Sequence, residues 1–226
     1  MTRRQRTKRP PHRTPKRSIL PLTLAALVLG VVGVIAFAAV AGPRGGGGDV
    51  RAAAHAPPPT ALVEGRTVGR ADAPVTIEIW SDFQCPACAI LALEIEPRLI
   101  TDYVVPGTAR LVYRDFAFLG EESLSAPVAA RSAEAWGRFW AYHDLLFANQ
   151  AGENRGGFDE ERLLDIADAA GVPRETVAAA LVDPLLRGAV RDETVEGRGL
   201  GVDSTPTSSS TAGRSGACHS TRTWPR

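Results

Sequence analysis

The sequence predicts an α/β domain that carries an inserted helical block and is preceded by one N-terminal transmembrane helix. Three observations lead there. An uncharged apolar run, Ile19 to Gly42, follows a purely cationic head. A β-branched segment, "APVTIEIW" (Ala73–Trp80), leads directly into two cysteines with two residues between them. A second segment of that kind, "ARLVYRDFAF" (Ala109–Phe118), is followed by a long helical region and a return through "GVDSTPT" (Gly201–Thr207).

At 226 residues the chain holds one ordinary domain plus appendages. Hydrophobic content of 44% and 23% charged residues fit a globular protein and name no class. The net charge of +1 conceals an asymmetry. Residues 1–18 hold eight of the 26 Lys and Arg, and no acid precedes Asp49; the remaining 18 bases face 25 acids, a body of net charge −7.

The basic head, 1–18, belongs beside the apolar run. The 24 residues Ile19–Gly42 carry no charge, and at ~1.5 Å per residue such a helix crosses a hydrocarbon core of roughly 30 Å. The cationic flank stays in the cytoplasm, which places the body outside a cytoplasmic membrane crossed once. Ala39-Val40-Ala41 resembles a signal cleavage site, so a secreted product is the alternative, although the run is longer than a usual signal core. Either way the body lies where disulfides persist. The position of the head against a membrane span argues for topology and against a nucleic-acid arm. Residues 43–60 read as a linker, flexible at Gly45–Gly48 and stiff at Pro57–Pro59.

The folded body runs over 61–207, with the helical insertion over about 120–190. Ala73–Trp80 is a buried strand. Ala87 to about Tyr103 is a helix, with a kink expected at Pro97. Ala109–Phe118 is the second strand. Ser125–Asn149, Asp159–Gly171 and Arg174 to about Leu186 are helices, with "GVPRET" (171–176) a stop and a new start. Trp136, Phe139, Trp140, His143 and Phe147 recur at helical spacing and read as a core stripe.

The cysteine pair, Cys85 and Cys88, carries the chemistry. A thiolate at a helix start is stabilised by free backbone N–H groups and the helix dipole. A second cysteine one turn along can attack the first in a mixed disulfide. Pro86 suits the first helical turn, where no N–H partner is needed. A zinc site wants further ligands, and Cys218, His12, His55, His143 and His219 are badly placed to supply them. A structural disulfide across two residues would close too small a loop to stabilise much. Redox chemistry is the reading that remains strongest, and no metal is expected.

With these residues quoted, "ADAPVTIEIWSDFQCPAC" resembles the thioredoxin-fold entry of DsbA-type thiol:disulfide oxidoreductases, in particular membrane-anchored bacterial members. "LVYRDFAFLGEESLSAPVAA" and "FWAYHDLLFANQ" are similar to that family's second strand and inserted helices, and "GVDSTPT" to its cis-proline loop. The resemblance implies that Cys85 is the exposed nucleophile, Cys88 the resolving thiol, and Pro206, preceded by Thr205, the cis-proline that faces them. It implies unfolded or exported protein thiols as substrates and no cofactor. It also implies reoxidation by a quinone-linked membrane partner of the DsbB or vitamin K epoxide reductase type. The Pro86-Ala87 dipeptide lacks the histidine of the most oxidising members, so a reductase or isomerase with the same site stays open, as does a non-catalytic tethered binding module. Ile79 stands where many thioredoxin-fold enzymes keep a buried acid; the neighbouring Glu78 would serve only through a strand irregularity.

After Thr207 the pattern changes to "SSSTAGRSGACHSTRTWPR", small and polar where the family has an edge strand and a closing helix. A Thr or Ser codon followed by a TCN serine codon, read from its third base, encodes only Phe, Leu, Ile or Val. Thr207–Ser210 therefore conceal an apolar triplet, followed by a codon compatible with Asp or Asn and one compatible with Gly. The expectation is a one-base frameshift just after Thr207. Residues 208–226 are then an aberrant polar tail, the C-terminal strand and helix are missing, and an inactive product is a further alternative.

Overall fold

The computed structural model describes residues 49–212 and 222–223. The predicted cytoplasmic tail 1–18, the predicted span 19–42 and Cys218 lie outside them. Among the described residues no helix is long and apolar enough to cross a membrane.

A mixed sheet holds β1 (Val63–Glu64), β2 (Thr67–Val68), β3 (Val75–Ser81), β4 (Ala109–Asp115), β5 (Thr207–Ala212) and β6 (Arg222–Thr223), in the order β1-β2-β4-β3-β5-β6. β3 and β4 are parallel and meet Ile79 to Tyr113 and Ser81 to Asp115. Valine, isoleucine and aromatic residues make both strands good pleated surfaces. The crossover between them is helix α1. It opens as Pro86–Ile90, widens into π-type turns over Leu91–Ile95 and Ile100–Val104, and holds an α segment, Glu96–Leu99, between them. At Pro97 there is no N–H to donate. The Glu96 N–H reaches five residues back to the Leu91 carbonyl, so the expected kink becomes a wide turn.

The insertion is five helices: α2 (Glu121–Ser132), α3 (Phe139–Ala148), α4 (Glu160–Ala170), α5 (Arg174–Leu181) and α6 (Pro184–Gly199). The helix expected over 125–149 is two, because Gly137 turns at φ +64° between α2 and α3. That break leaves Trp136 half exposed, while Phe139, Trp140, His143 and Phe147 enter the core. Asp159 caps α4 by accepting from the Arg162 N–H at 2.8 Å, and Gly171 ends it at φ +73°. Asp183 and Pro184 begin α6 in the same way, so the helix expected to run to Leu186 stops at Leu181.

The main core lies on the sheet face that carries Ile79, Leu111 and Tyr113, under Cys88 and Leu91 of α1 and Phe139 and Leu146 of α3. On the other face Trp80, Phe116 and Val202 form a small cluster. Gly197 of α6 lies against it, so close that a Cβ would stand 2.8 Å from the Trp80 ring. Part of the stretch read as a linker is docked. Asn149 accepts from the Arg51 N–H at 2.8 Å and returns a bond to the Arg51 carbonyl at 2.8 Å.

The strand expected to be missing after Thr207 is present. β5 pairs antiparallel with β3 from Thr207↔Trp80 to Ala212↔Val75. Ladder bonds join backbone groups, which serine and threonine supply as well as valine does, and β3 offers a free edge to pair with. What its composition lacks is apolar side chains, not backbone donors and acceptors. The place of the expected closing helix lies outside the described residues.

Candidate active site

β3 ends at Ser81, and a tight turn follows in which the Cys85 N–H donates to the Asp82 carbonyl at 3.0 Å. The Asp82 carboxylate pins this turn. It accepts from the Gln84 N–H at 2.8 Å, the Ser123 hydroxyl at 2.7 Å, the Phe118 N–H at 3.0 Å and the Leu119 N–H at 3.3 Å. Burial pushes its pKa up, while these bonds oppose the rise. Gln150 closes the loop from the other side, donating to the carbonyls of Phe83 at 2.6 Å and Cys85 at 3.0 Å.

Cys85 stands at the cap position of α1 with extended backbone, and Pro86 takes the first helical place. Pro86 is exposed, Ala87 half-buried, Cys85 nearly buried and Cys88 fully buried. Both sulfurs are free thiols. The Cys85 thiol donates to the Thr205 carbonyl at 3.5 Å, and the Thr205–Pro206 peptide is cis. The structure therefore brings Cys85, Cys88, Thr205 and Pro206 together, with Pro86 and Ala87 forming the helix start.

The two thiols are driven apart electrostatically. The Cys88 thiol beside it lowers Cys85 to about 6; burial opposes this, and Thr205 and the N–H groups of Cys88 and Ala87 add to it. Burial, and then Cys85 itself, hold Cys88 well above the ordinary thiol range. Cys85 is only 9% exposed, less than the exposed nucleophile the resemblance implies, and is shifted toward the thiolate, while Cys88 is held as a buried thiol. That is the division of labour thiol–disulfide exchange requires.

Glu78 does not join them. It lies on the opposite face of β3, where Arg114 donates to it at 2.9 Å. Sequence reasoning missed Asp82 and Gln150. Gln150 stands 65 positions from Cys85 and carries no local signal; Asp82, three residues before the first cysteine, reads as an ordinary loop acid.

A thiolate at a helix start, a buried partner one turn on and a cis-proline loop across from them define a thiol:disulfide oxidoreductase on a thioredoxin-like fold. A thioredoxin family model matches residues 61–209, and the chain belongs to that family. It is similar to the probable disulfide bond formation protein D of Bacillus cereus, 27% identical over 153 residues that cover 67% of this chain and 67% of that one. Oxidised BdbD from Bacillus subtilis superposes with a TM-score of 0.61 at 23% identity, over 71% of this chain and 87% of that chain. Wolbachia pipientis α-DsbA1 superposes with a TM-score of 0.62 at 16% identity, over 68% and 79%. The two structural likenesses concern the fold.

Proposed function

We propose that this chain oxidises thiols of exported proteins outside the cytoplasmic membrane, with Cys85 and Cys88 as the exchanging pair. The observation that carries the direction is the Cys85 thiolate, lowered to about 6 beside a thiol held high. Stabilising the thiolate stabilises the reduced pair, and a stabilised reduced form makes the disulfide an oxidant.

In the oxidising half-reaction a substrate thiolate attacks Cys85 Sγ. The Cys85–Cys88 bond breaks, a mixed disulfide forms at Cys85, and Cys88 leaves as a thiolate that takes up a proton. A second substrate thiolate then attacks the substrate sulfur of the mixed disulfide. Cys85 departs as a thiolate, and two electrons have passed from substrate to enzyme. The backbone at Thr205 and Pro206 is the surface against which an extended substrate segment pairs. A quinone-linked membrane partner of the DsbB or vitamin K epoxide reductase type would take those electrons on. The cationic head and apolar run at 1–42 support a membrane tether with the catalytic body outside.

The test is oxidative refolding of reduced ribonuclease by the chain, beside reduction of insulin, with Cys85→Ser as control. Ribonuclease oxidation that Cys85→Ser abolishes is expected. Insulin reduction without ribonuclease oxidation would reverse the direction, and activity surviving in Cys85→Ser would remove the pair from the function.

A further inference from the structure

The far half of α1 and the start of α3 hold polar groups that thiol exchange does not use. The stretch His55–Pro59, with Glu96, Pro97 and Ile100 of α1 and Trp140 and Asp144 of α3, lines a cavity of about 300 Å³. Its prolines and Ile100 are apolar walls, and its polar atoms form a connected group. His143 Nε2 stands 3.9 Å from Glu96 Oε2, and His143 Nδ1 is hydrogen-bonded to Asp144 Oδ1 at 2.8 Å. Asp144 Oδ2 in turn stands 3.7 Å from His55 Nδ1.

Glu96 and Trp140 are each 3% exposed and Asp144 4%. Asp144 Oδ2, His55 Nε2 and Trp140 Nε1 are buried and make no hydrogen bond. Buried polar atoms are nearly always paired, so three of them on one cavity call for a common partner.

Charge points the same way. A buried carboxylate is stable only beside a cation. Elsewhere in this protein arginine fills that role: Arg66 and Arg131 pair with Asp115, and Arg114 pairs with Glu193. Among the described residues Glu96 and Asp144 pair only with histidines. Burial lifts Glu96 to about 7; of its neighbours, His143 and His55 oppose the rise and Asp144 adds to it. The cavity is short of positive charge.

The unpaired atoms say which cation fits. A metal ion needs ligands that converge on one point, and among the described residues no three His, Cys, Asp or Glu side chains are set to hold one. An ammonium instead carries three N–H donors that diverge. Three acceptors surround the cavity: the Glu96 carboxylate, Asp144 Oδ2 and His55 Nε2. The last accepts when His55 Nδ1 carries the proton and donates to the Ala56 carbonyl, 3.2 Å away. The Trp140 indole can only donate, so the same ligand must bring an oxygen to it. The proline and isoleucine walls suit the methylenes between those two ends.

We propose that this cavity binds a small amino alcohol, its primary ammonium held by Glu96, Asp144 and His55 and its hydroxyl by Trp140. None of these residues enters the exchange chemistry proposed above, so the two readings stand or fall separately.

The experiment is isothermal titration calorimetry of the full chain in detergent at about pH 7 with two probes. Aminopentanol carries an amine and a hydroxyl at opposite ends; pentanediol has the same length and shape and no charge. Saturable binding of one aminopentanol per chain is expected, and none of pentanediol. An ammonium against Glu96 ionises the carboxyl, so binding should release protons. The heat should therefore differ between two buffers of unlike ionisation enthalpy, with His143, Asp144 and His55 the other titratable groups that face Glu96. Glu96→Gln should weaken binding by about tenfold and reduce the proton release. Should that variant fail to fold, the wild-type comparison decides alone. No saturable binding of aminopentanol, or equal binding of pentanediol, overturns the proposal, as does a folded Glu96→Gln with unchanged affinity and proton release.

Discussion

Cys85 and Cys88 differ by one helical turn and by nearly everything else that governs a thiol. Cys85 caps the helix and faces Thr205; Cys88 points into the core. Iodoacetamide should therefore alkylate Cys85 of the reduced native chain with a rate that rises with pH and is half-maximal near 6, the value to which Cys88 and Thr205 lower it. Cys88 should label only after denaturation. Mass spectrometry of the labelled peptides checks both; equal labelling of the two thiols would contradict this reading. The pair was legible in the sequence because its signal is local: a strand, a turn, a cysteine at a helix start and another one turn later. Thr205 and Pro206 were legible only through the family resemblance. Gln150 was not legible at all, since nothing near it in the chain says which loop it meets.

Among the elements, β3, β4 and α4 follow from periodicity and capping, with ends shifted by a few residues. Helix α6 did not announce itself, because "PLLRGAVRDETVEGRG" holds three glycines and many charges. Its stability comes from tertiary contact: Gly197 packs on Trp80 and Phe116, and Glu193 accepts from Arg114 at 2.9 Å. Alanine is the better helix former, yet Gly197→Ala should destabilise the protein by about 2 kcal/mol, because the added Cβ meets rigid rings. Urea denaturation measures it; a stabilised variant would show that α6 does not pack as described. β5 failed in the sequence for the opposite reason. Side-chain pattern signals a strand, and this one is held by the edge of β3 instead.

For the molecule as a whole, several buried groups titrate high, whereas at Glu193 burial works upward and Arg66 and Arg131 hold the carboxyl low. Burial raises Asp115 to about 6 and Glu96 to about 7. His143 is raised too: burial works against the rise, and Asp144 and Glu96 overcome it. A group whose constant is raised on folding contributes stability that is full below its ordinary value and is lost as pH climbs through the folded one. For Asp115 that window runs from its ordinary 3.8 to about 6, for Glu96 from 4.5 to about 7, and for His143 it lies above 6.5. In the oxidised form the Cys85 thiolate, which has the opposite sign, is absent. The oxidised chain should therefore melt at a higher temperature near pH 5 than near pH 8, and calorimetry at the two values decides; a higher melting temperature at the alkaline value would contradict it.

β5 begins immediately after the cis peptide at Pro206. Its task is to clamp the loop that faces Cys85, and it does so with amide groups that every residue except proline carries. The buried Thr207 and Ser209 stay constrained in size, while the exposed Ser210 is nearly free to drift. Substitutions at Ser210 would be absorbed quietly, and an inserted or deleted residue in Thr207–Ala212 would shift the Cys85-facing loop itself.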